Sequence, residues 1–224
     1  MNLYFLVEGR RSEFKVYPKW LEYLLPHLKR VQSFDAAEKD NYYLISGGGY
    51  PSIYHHLRNA IKEINSTKKY DYLILCLDAD ESTAAERIQD INNYLENKNL
   101  KITNCGFKII VQNRCLETWF LGNRVVYPRQ PNSETFREYA KFYNVSVDDP
   151  ELMGLYKNFA SISLFHYSYL KEMLAERGIR YTKSIPRAVT DPPYIEQLIA
   201  RVEETDHLKT LKDFFDFCHS IITD

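Results

Sequence analysis

The stretch Tyr72-Leu73-Ile74-Leu75-Cys76-Leu77, followed at once by Asp78-Ala79-Asp80, decides the fold class of this chain. A short apolar run that ends in a polar break is typical of a strand buried on both faces of a parallel sheet. A carboxylate at the end of such a strand is costly to desolvate unless something compensates its charge. A divalent cation is a common compensator, although an ordinary turn explains a single acidic strand end equally well.

Three other apolar runs have the same layout. Residues 3–7 lead into Glu8-Gly9, residues 42–46 lead into Gly47-Gly48-Gly49, and residues 107–111 lead into Gln112-Asn113-Arg114. Helical apolar patterns separate the runs, so the sequence predicts an α/β fold with an open, mostly parallel sheet and helices on both faces. Ligands bind such sheets at the carboxyl ends of the strands, where all four polar or glycine-rich segments are expected.

The helical patterns continue beyond the predicted sheet, and the strand pattern ends near residue 127. We therefore expect a catalytic domain at 1–127 and a mainly helical region at 128–224. The predicted helices cover residues 12–28, 51–64, 82–97, 115–121, 133–143, 165–177, 192–204 and 206–222.

Composition narrows the function classes. The formal net charge is −1, with 29 basic and 30 acidic residues, which excludes binding of nucleic acid by bulk positive charge. The four cysteines form no CxxC pair and the six histidines have no metal-ligand spacing, which predicts reduced thiols and no zinc site. No apolar run approaches the ~20 residues of a membrane span, and no signal-peptide layout is visible. We expect a cytoplasmic protein without membrane contact.

Three motifs together resemble the TOPRIM domain, the metal-binding fold of topoisomerases, bacterial primases, small RNases and OLD-family nucleases. They are Leu6-Val7-Glu8-Gly9, Gly47-Gly48-Gly49 and Leu77-Asp78-Ala79-Asp80. The segment Cys115-Leu116-Glu117-Thr118-Trp119-Phe120-Leu121 is similar to an E-x-W-F-L stretch of small standalone TOPRIM proteins of bacterial and phage-defence loci, including RloB-like proteins. The chain departs from the larger families, because it holds no GxxxxGK[ST] motif, no primase zinc module and no separate topoisomerase domain.

The resemblance implies a Mg²⁺- or Mn²⁺-dependent endonuclease acting on DNA or RNA, an effector of phage defence regulated by a separate ATPase chain. A homodimer is left open. Glu8, Asp78 and Asp80 would hold the metal, although Glu8 can instead be the general base. The further catalytic candidates are Glu13 and Glu117. The substrate-binding candidates are Arg10, Arg11, Gly47, Gly48, Gly49, Arg114 and Lys183.

Structural interpretations compete with several of these roles. Glu13 and Glu81 can each be stabilised simply by the dipole of a helix that starts nearby. Glu117 can pair with Arg114 or cap a helix. The three glycines can form a plain turn instead of a phosphate cradle. A second basic group around Tyr181 suits contact with a single-stranded nucleotide. Its members are Arg177, Arg180, Lys183 and Arg187.

Other function classes fit the motifs less completely. A non-catalytic TOPRIM-like module that binds nucleic acid or a partner does not need three converging carboxylates. A glycosyltransferase can use Asp78-Ala79-Asp80 to hold a nucleotide-sugar, but it does not require Glu8-Gly9 on the first strand. A phosphatase of the haloacid-dehalogenase type would carry its DxD motif after the first strand, whereas here the motif follows the third predicted strand.

Overall fold

The computed structural model describes residues Met1–Thr223, the side chain of Thr223 excepted, and the chain forms two compact units. Unit 1 consists of Met1–Leu77 and Ala85–Val111. Unit 2 consists of Asp78–Ala84 and the residues from Gln112 onward. The predicted domain boundary near residue 127 lies inside unit 2. Whether residues 1–127 fold as a domain of their own stays a prediction.

Unit 1 is built on a five-stranded, all-parallel sheet flanked by helices, which confirms the predicted α/β class. The strand order is β2-β3-β1-β4-β5. The strands are β1 (Asn2–Val7), β2 (Lys29–Val31), β3 (Asn41–Ser46), β4 (Tyr72–Asp78) and β5 (Gly106–Gln112). The short edge strand β2 was not predicted, because Lys29-Arg30-Val31 has neither the length nor the apolar character of the other strands.

The central strand β1 is buried along its whole length, since β3 and β4 pair with it on either side. Its last residue, Val7, lies opposite Ser46 of β3 and Cys76 of β4. From β1 the chain passes to the edge strand β2, returns to β3 between β2 and β1, and then crosses to β4 and β5 on the other side of β1. The chain thus places strands on one side of β1 and then, from β4 onward, on the other side. Open α/β sheets bind ligands at the carboxyl ends of the two strands that flank such a switch point.

Three helices accompany the sheet: α1 (Glu13–Leu24), α2 (Ser52–Thr67) and α3 (Ala84–Asn97). Helix α1 ends earlier than predicted, because Leu25 precedes Pro26 and a residue before proline disfavours helical backbone. Phe14, an apolar residue of this helix, is 36% exposed and lies under the Arg30 guanidinium. The apolar pattern predicted for α2 is buried as expected.

Unit 2 is helical, in agreement with the predicted C-terminal pattern. Its helices are α4 (Leu116–Phe120), α5 (Glu134–Phe142), α6 (Ile162–Ala175), α7 (Pro192–Glu204) and α8 (Lys209–Thr223). The core of this unit is strongly aromatic, with Trp119 stacked on Phe214 at 6.0 Å between ring centres. None of the described helices is long and apolar enough to cross a membrane. All four cysteines are free, as predicted.

Candidate functional site

The carboxylate of Glu13 lies directly against the backbone of Gly9 in unit 1. Glu13 is the first residue of α1 and is only 7% exposed. A methyl group on residue 9 would overlap this carboxylate, so the glycine makes the close approach sterically possible. The first turn of a helix also favours a negative charge. Gly9 therefore leaves room for a buried carboxylate against the segment that follows β1.

The glycine turn after β3 is tied to β1 by its own amides. The Gly47 amide donates to the Val7 carbonyl at 2.7 Å, and the Gly49 amide donates to the Glu8 carbonyl at 2.9 Å. The Gly48 amide donates to Ser46 Oγ at 3.1 Å. Gly48 and Gly49 have φ values of 74° and 89°, which glycine adopts without steric cost. The plain turn accounts for these contacts, and a substrate-binding role of the three glycines stays a prediction.

Arg10 packs beside this turn. Its Nη2 atom would be 3.1 Å from a methyl group placed on Gly48, so the guanidinium lies over the glycine backbone. Arg10 and Arg11 are both exposed. The two predicted phosphate contacts are therefore accessible from solvent, and Arg10 has a defined position at the carboxyl edge of the sheet of unit 1.

The acidic turn after β4 is held by Arg114 within unit 2. The Asp80 amide donates to the Arg114 carbonyl at 2.8 Å, and the Arg114 guanidinium donates to the carbonyls of Ser82 at 2.7 Å and Asp80 at 3.3 Å. Asp80 has a φ of 52°, a left-handed conformation that aspartate tolerates better than most residues. Arg114 thus shapes the turn that presents Asp80.

Two acidic side chains of this turn meet the beginning of α6. The Ile162 amide donates to Glu81 Oε1 at 2.9 Å, and the Ser163 hydroxyl donates to Asp80 Oδ1 at 3.3 Å. Glu81 thus stabilises a helix N-terminus, as its helix-dipole interpretation predicts, but the helix is α6 and not α3. The sequence contained no signal for this pairing, because the partners are 81 residues apart.

Glu117 has different partners from those predicted. It is 1% exposed; the Tyr181 hydroxyl donates to Oε1 at 2.9 Å, and Lys183 Nζ lies 3.5 Å from Oε2. The alternative interpretation in which Glu117 pairs with Arg114 is wrong, because the Arg114 guanidinium is directed at backbone carbonyls. Lys183, 43% exposed, is held by Glu117 while its ammonium also reaches solvent.

The expected stacking role of Tyr181 is also wrong. Its side chain is 2% exposed, and burial, followed by the nearby Glu117 carboxylate, raises the pKa of the hydroxyl far above its ordinary value. The basic group predicted around it is divided in its roles. Arg177 donates to the carbonyls of Val126 and Tyr127, whereas Arg180 lines a cleft of about 290 Å³ together with Lys171.

The Cys115 thiol of unit 2 is fully buried near charged side chains. Burial raises the pKa of Cys115 well above its ordinary value, and the carboxylates of Glu117 and Asp78 raise it further, while Lys183 lowers it. These three charged groups therefore lie within electrostatic reach of one atom in unit 2. The thiol itself stays protonated and unreactive at neutral pH.

No protein-family model, curated protein or solved structure matches this chain. The TOPRIM resemblance therefore depends on the motifs and on their positions at the strand ends.

The chain offers the donor chemistry of a hard cation site. Carboxylate oxygens suit Mg²⁺ and Mn²⁺, and acidic residues stand at the ends of β1 and β4 and at the start of α1. The donor type thus fits the predicted metal. Within Met1–Thr223, however, no three acidic, histidine or cysteine side chains are already arranged to hold an ion.

Proposed function

We propose that this protein is a Mg²⁺-dependent endonuclease of the TOPRIM type that hydrolyses phosphodiester bonds in DNA or RNA. The observation that carries the proposal is the strand order. Glu8 directly follows β1, and Asp78 ends β4. These two strands are parallel neighbours, and between them the chain switches from adding strands on one side of the sheet to adding them on the other. Ligands bind open α/β sheets at the carboxyl end of this reversal. Acidic residues at both strand ends favour a cationic ligand there.

In this proposal Glu8, Asp78 and Asp80 hold Mg²⁺ or Mn²⁺. A bound divalent ion activates the attacking water and stabilises the leaving oxygen of a phosphodiester. Glu13, whose carboxylate is fixed against Gly9, accepts the proton of the attacking water if Glu8 serves as a ligand. Both assignments keep the proton-accepting carboxylate in the segment that follows β1.

Basic residues of each unit supply the contacts with phosphate. Arg10 and Arg11 are exposed beside the glycine turn of unit 1. In unit 2, Glu117 holds the Lys183 ammonium in a position that solvent still reaches. In this proposal, Lys183 contacts an anionic oxygen of the substrate. Arg114 acts indirectly in this proposal, because its guanidinium positions the Asp80 turn.

The biological setting is proposed from the motif resemblance. A nuclease without restraint would damage its own cell, so we infer that a separate ATPase chain regulates this effector of phage defence in the cytoplasm. A homodimer is compatible with this role. Rapid, unrestrained cleavage by the purified chain alone would contradict regulation by a partner.

A non-catalytic module that binds nucleic acid or a partner is the second candidate. It is favoured by one observation: the described side chains form no ready-made group of three metal ligands. Such a module would keep the basic residues at the turn and would show no metal-dependent chemistry.

Cleavage assays separate the two candidates. Labelled single- and double-stranded DNA and RNA, tRNA included, are incubated with Mg²⁺ or Mn²⁺ and the full chain, with Glu8→Ala or with Asp78→Ala. Glu96→Ala, at an exposed position near the end of α3, is the matched control. Cleavage lost in both site variants and kept in the control supports the nuclease. If the full chain binds metal but does not cleave, and both site variants lose the metal binding, an activating partner is required. Neither cleavage nor metal binding supports the non-catalytic module.

A further inference from the structure

Tyr50 is the most exposed large aromatic side chain near the sheet edge of unit 1. It follows the three glycines directly, and 62% of the residue is exposed. Burying its ring in the protein would have been favourable, because an aromatic side chain covers a large apolar area. A tyrosine held outward on a turn after a strand therefore presents an apolar face to a ligand.

Neighbouring side chains hold this ring in place. The Arg87 guanidinium lies over it, 5.4 Å from the ring centre, and the Tyr54 ring meets it edge-on at 5.8 Å. Arg87 also forms a hydrogen bond with the Tyr54 side chain. Tyr94 packs on Tyr54 with ring centres 4.5 Å apart, and its hydroxyl donates to the Tyr54 carbonyl. The exposed ring thus has a supported orientation from α2 and α3.

The turn that carries Tyr50 is fastened to the proposed catalytic segment. The amide of Gly49, the residue before Tyr50, donates to the carbonyl of Glu8. Arg10 lies over Gly48 in the same turn. An aromatic ring, a guanidinium and a proposed catalytic carboxylate therefore belong to one connected piece of unit 1.

We propose that Tyr50, backed by Arg87, is a stacking platform for one unpaired nucleobase of a single-stranded nucleic acid. This inference rests on the proposed function, because it names the form of nucleic acid that the same sheet edge receives. Every base has a π-face that can stack on tyrosine, and a guanidinium next to the ring adds cation–π attraction and a phosphate contact. Bases in a duplex already stack on their neighbours, so the platform favours single strands.

The test measures binding separately from cleavage. Short oligonucleotides carrying 2-aminopurine are titrated with the full chain in EDTA, as single-stranded RNA, single-stranded DNA and duplex. Fluorescence quenching reports stacking on the aromatic ring, and anisotropy of an end label reports affinity. We expect quenching with single strands, and Tyr50→Ala is expected to remove it and weaken binding roughly tenfold. Tyr50→Phe is expected to keep both, and Arg87→Ala is expected to have an intermediate effect.

Tyr23→Ala is the matched control, because Tyr23 is a partly exposed tyrosine on α1. Circular dichroism checks that each variant is folded. Unchanged quenching and affinity in Tyr50→Ala would overturn the proposal, as would preference for the duplex or no binding of single strands at all. Tyr50-dependent stacking with neither metal binding nor metal-dependent cleavage would support the platform while refuting the nuclease. Metal-dependent cleavage together with unchanged quenching and affinity in Tyr50→Ala would support the nuclease while refuting the platform.

Discussion

Glu117 is a carboxylate removed from water and surrounded by specific partners. Burying a charge is unfavourable unless hydrogen bonds and opposite charges compensate it. Tyr181 provides the hydrogen bond, and Lys183 provides the positive charge at 3.5 Å. The Lys183 ammonium is well exposed, so solvent weakens its contribution and the Tyr181 hydrogen bond is the firmer contact.

Truncating the Glu117 side chain should destabilise the fold more than neutralising its charge. We expect Glu117→Ala to lower the free energy of unfolding by about 1–3 kcal/mol, because the buried Tyr181 hydroxyl loses its acceptor. Glu117→Gln keeps an acceptor oxygen and should cost less. Urea unfolding measures both, with Glu96→Gln as the exposed control. Equal losses in the two Glu117 variants would show that the hydrogen bond is not the source of the effect.

The contact between Gly9 and Glu13 permits a double-mutant test. Gly9→Ala should be mildly destabilising, because its methyl group must push aside the flexible carboxylate end of the buried Glu13 side chain. In Gly9→Ala/Glu13→Ala the overlap is gone, so the double variant should lose less stability than the sum of the single variants. Gly154→Ala is the control, since nothing lies within 4 Å of its added methyl, and it should change stability by less than about 0.5 kcal/mol. Strict additivity at positions 9 and 13 would contradict the steric argument.

At the scale of elements, the N-terminus of α6 is stabilised in two ways. Ser161 Oγ accepts the Leu164 amide at 3.1 Å, which is a conventional N-cap, and Glu81 accepts the Ile162 amide. The same end of the helix contacts Asp80 through Ser163. Capping of α6 therefore also supports the position of the acidic turn in unit 2.

Loss of the two caps should differ in its dependence on salt. We expect Ser161→Ala to reduce the free energy of unfolding by about 1 kcal/mol at low and at high ionic strength. Glu81→Gln should have a smaller effect that shrinks as salt is added, because it removes a charge near the helix dipole. Thermal and urea unfolding at two salt concentrations distinguish them. A salt-dependent Ser161→Ala effect would argue against a simple hydrogen-bonded cap.

At the scale of the molecule, two buried groups of unit 2 respond to pH in opposite directions. Burial lowers the pKa of His166 from 6.5 to about 4, and the ring lies between the Thr118 hydroxyl and the Met153 carbonyl. Burial also raises the pKa of Glu151 from 4.5 to about 7, although its hydrogen bonds with Thr210 oppose this shift. His166 is therefore neutral in the fold at neutral pH, and Glu151 is partly protonated.

The two shifts should oppose each other in the pH dependence of stability. His166 contributes stability above pH 6.5 that is lost as the pH falls to 4, because the unfolded chain then binds the extra proton. Glu151 contributes stability below pH 4.5 that is lost as the pH rises through 7. Each contribution amounts to roughly 3 kcal/mol.

Single substitutions should reveal each slope. We expect Glu151→Gln to leave a stability that rises between pH 4 and 6.5, and His166→Gln to leave one that falls between pH 4.5 and 7. Urea unfolding at several pH values measures the slopes, with Asp216→Asn on the exposed side of α8 as the control. Slopes with the opposite signs would refute the assigned shifts.

Local patterns were sufficient for most elements of this chain. The four apolar runs became β1, β3, β4 and β5, and the predicted helices appeared with shifted ends. Strand β2 was missed because three residues carry too little periodicity for a prediction. Helix α1 was extended too far because the apolar pattern continues past Leu25, while the effect of Pro26 on the backbone ends the helix.

The candidate site was predictable in its acids but not in their partners. Glu8, Asp78 and Asp80 stand out because a carboxylate after an apolar strand is visible in the sequence. Tyr181, in contrast, lies 64 residues from Glu117, and nothing local predicts that it is buried and bonded. Likewise, the support of Tyr50 by Arg87 depends on how α2 and α3 pack in unit 1.

By itself, the sequence determined the alternation of strands and helices and the acidic and glycine-rich strand ends, because these features follow from hydrophobic periodicity and turn chemistry over a few residues. Only the tertiary structure decided the order β2-β3-β1-β4-β5 and therefore which strand ends flank the reversal. It also decided that Tyr181 is buried and Tyr50 is exposed. The physical reason is that strand pairing and side-chain burial depend on contacts between residues far apart in the chain, which local periodicity does not encode.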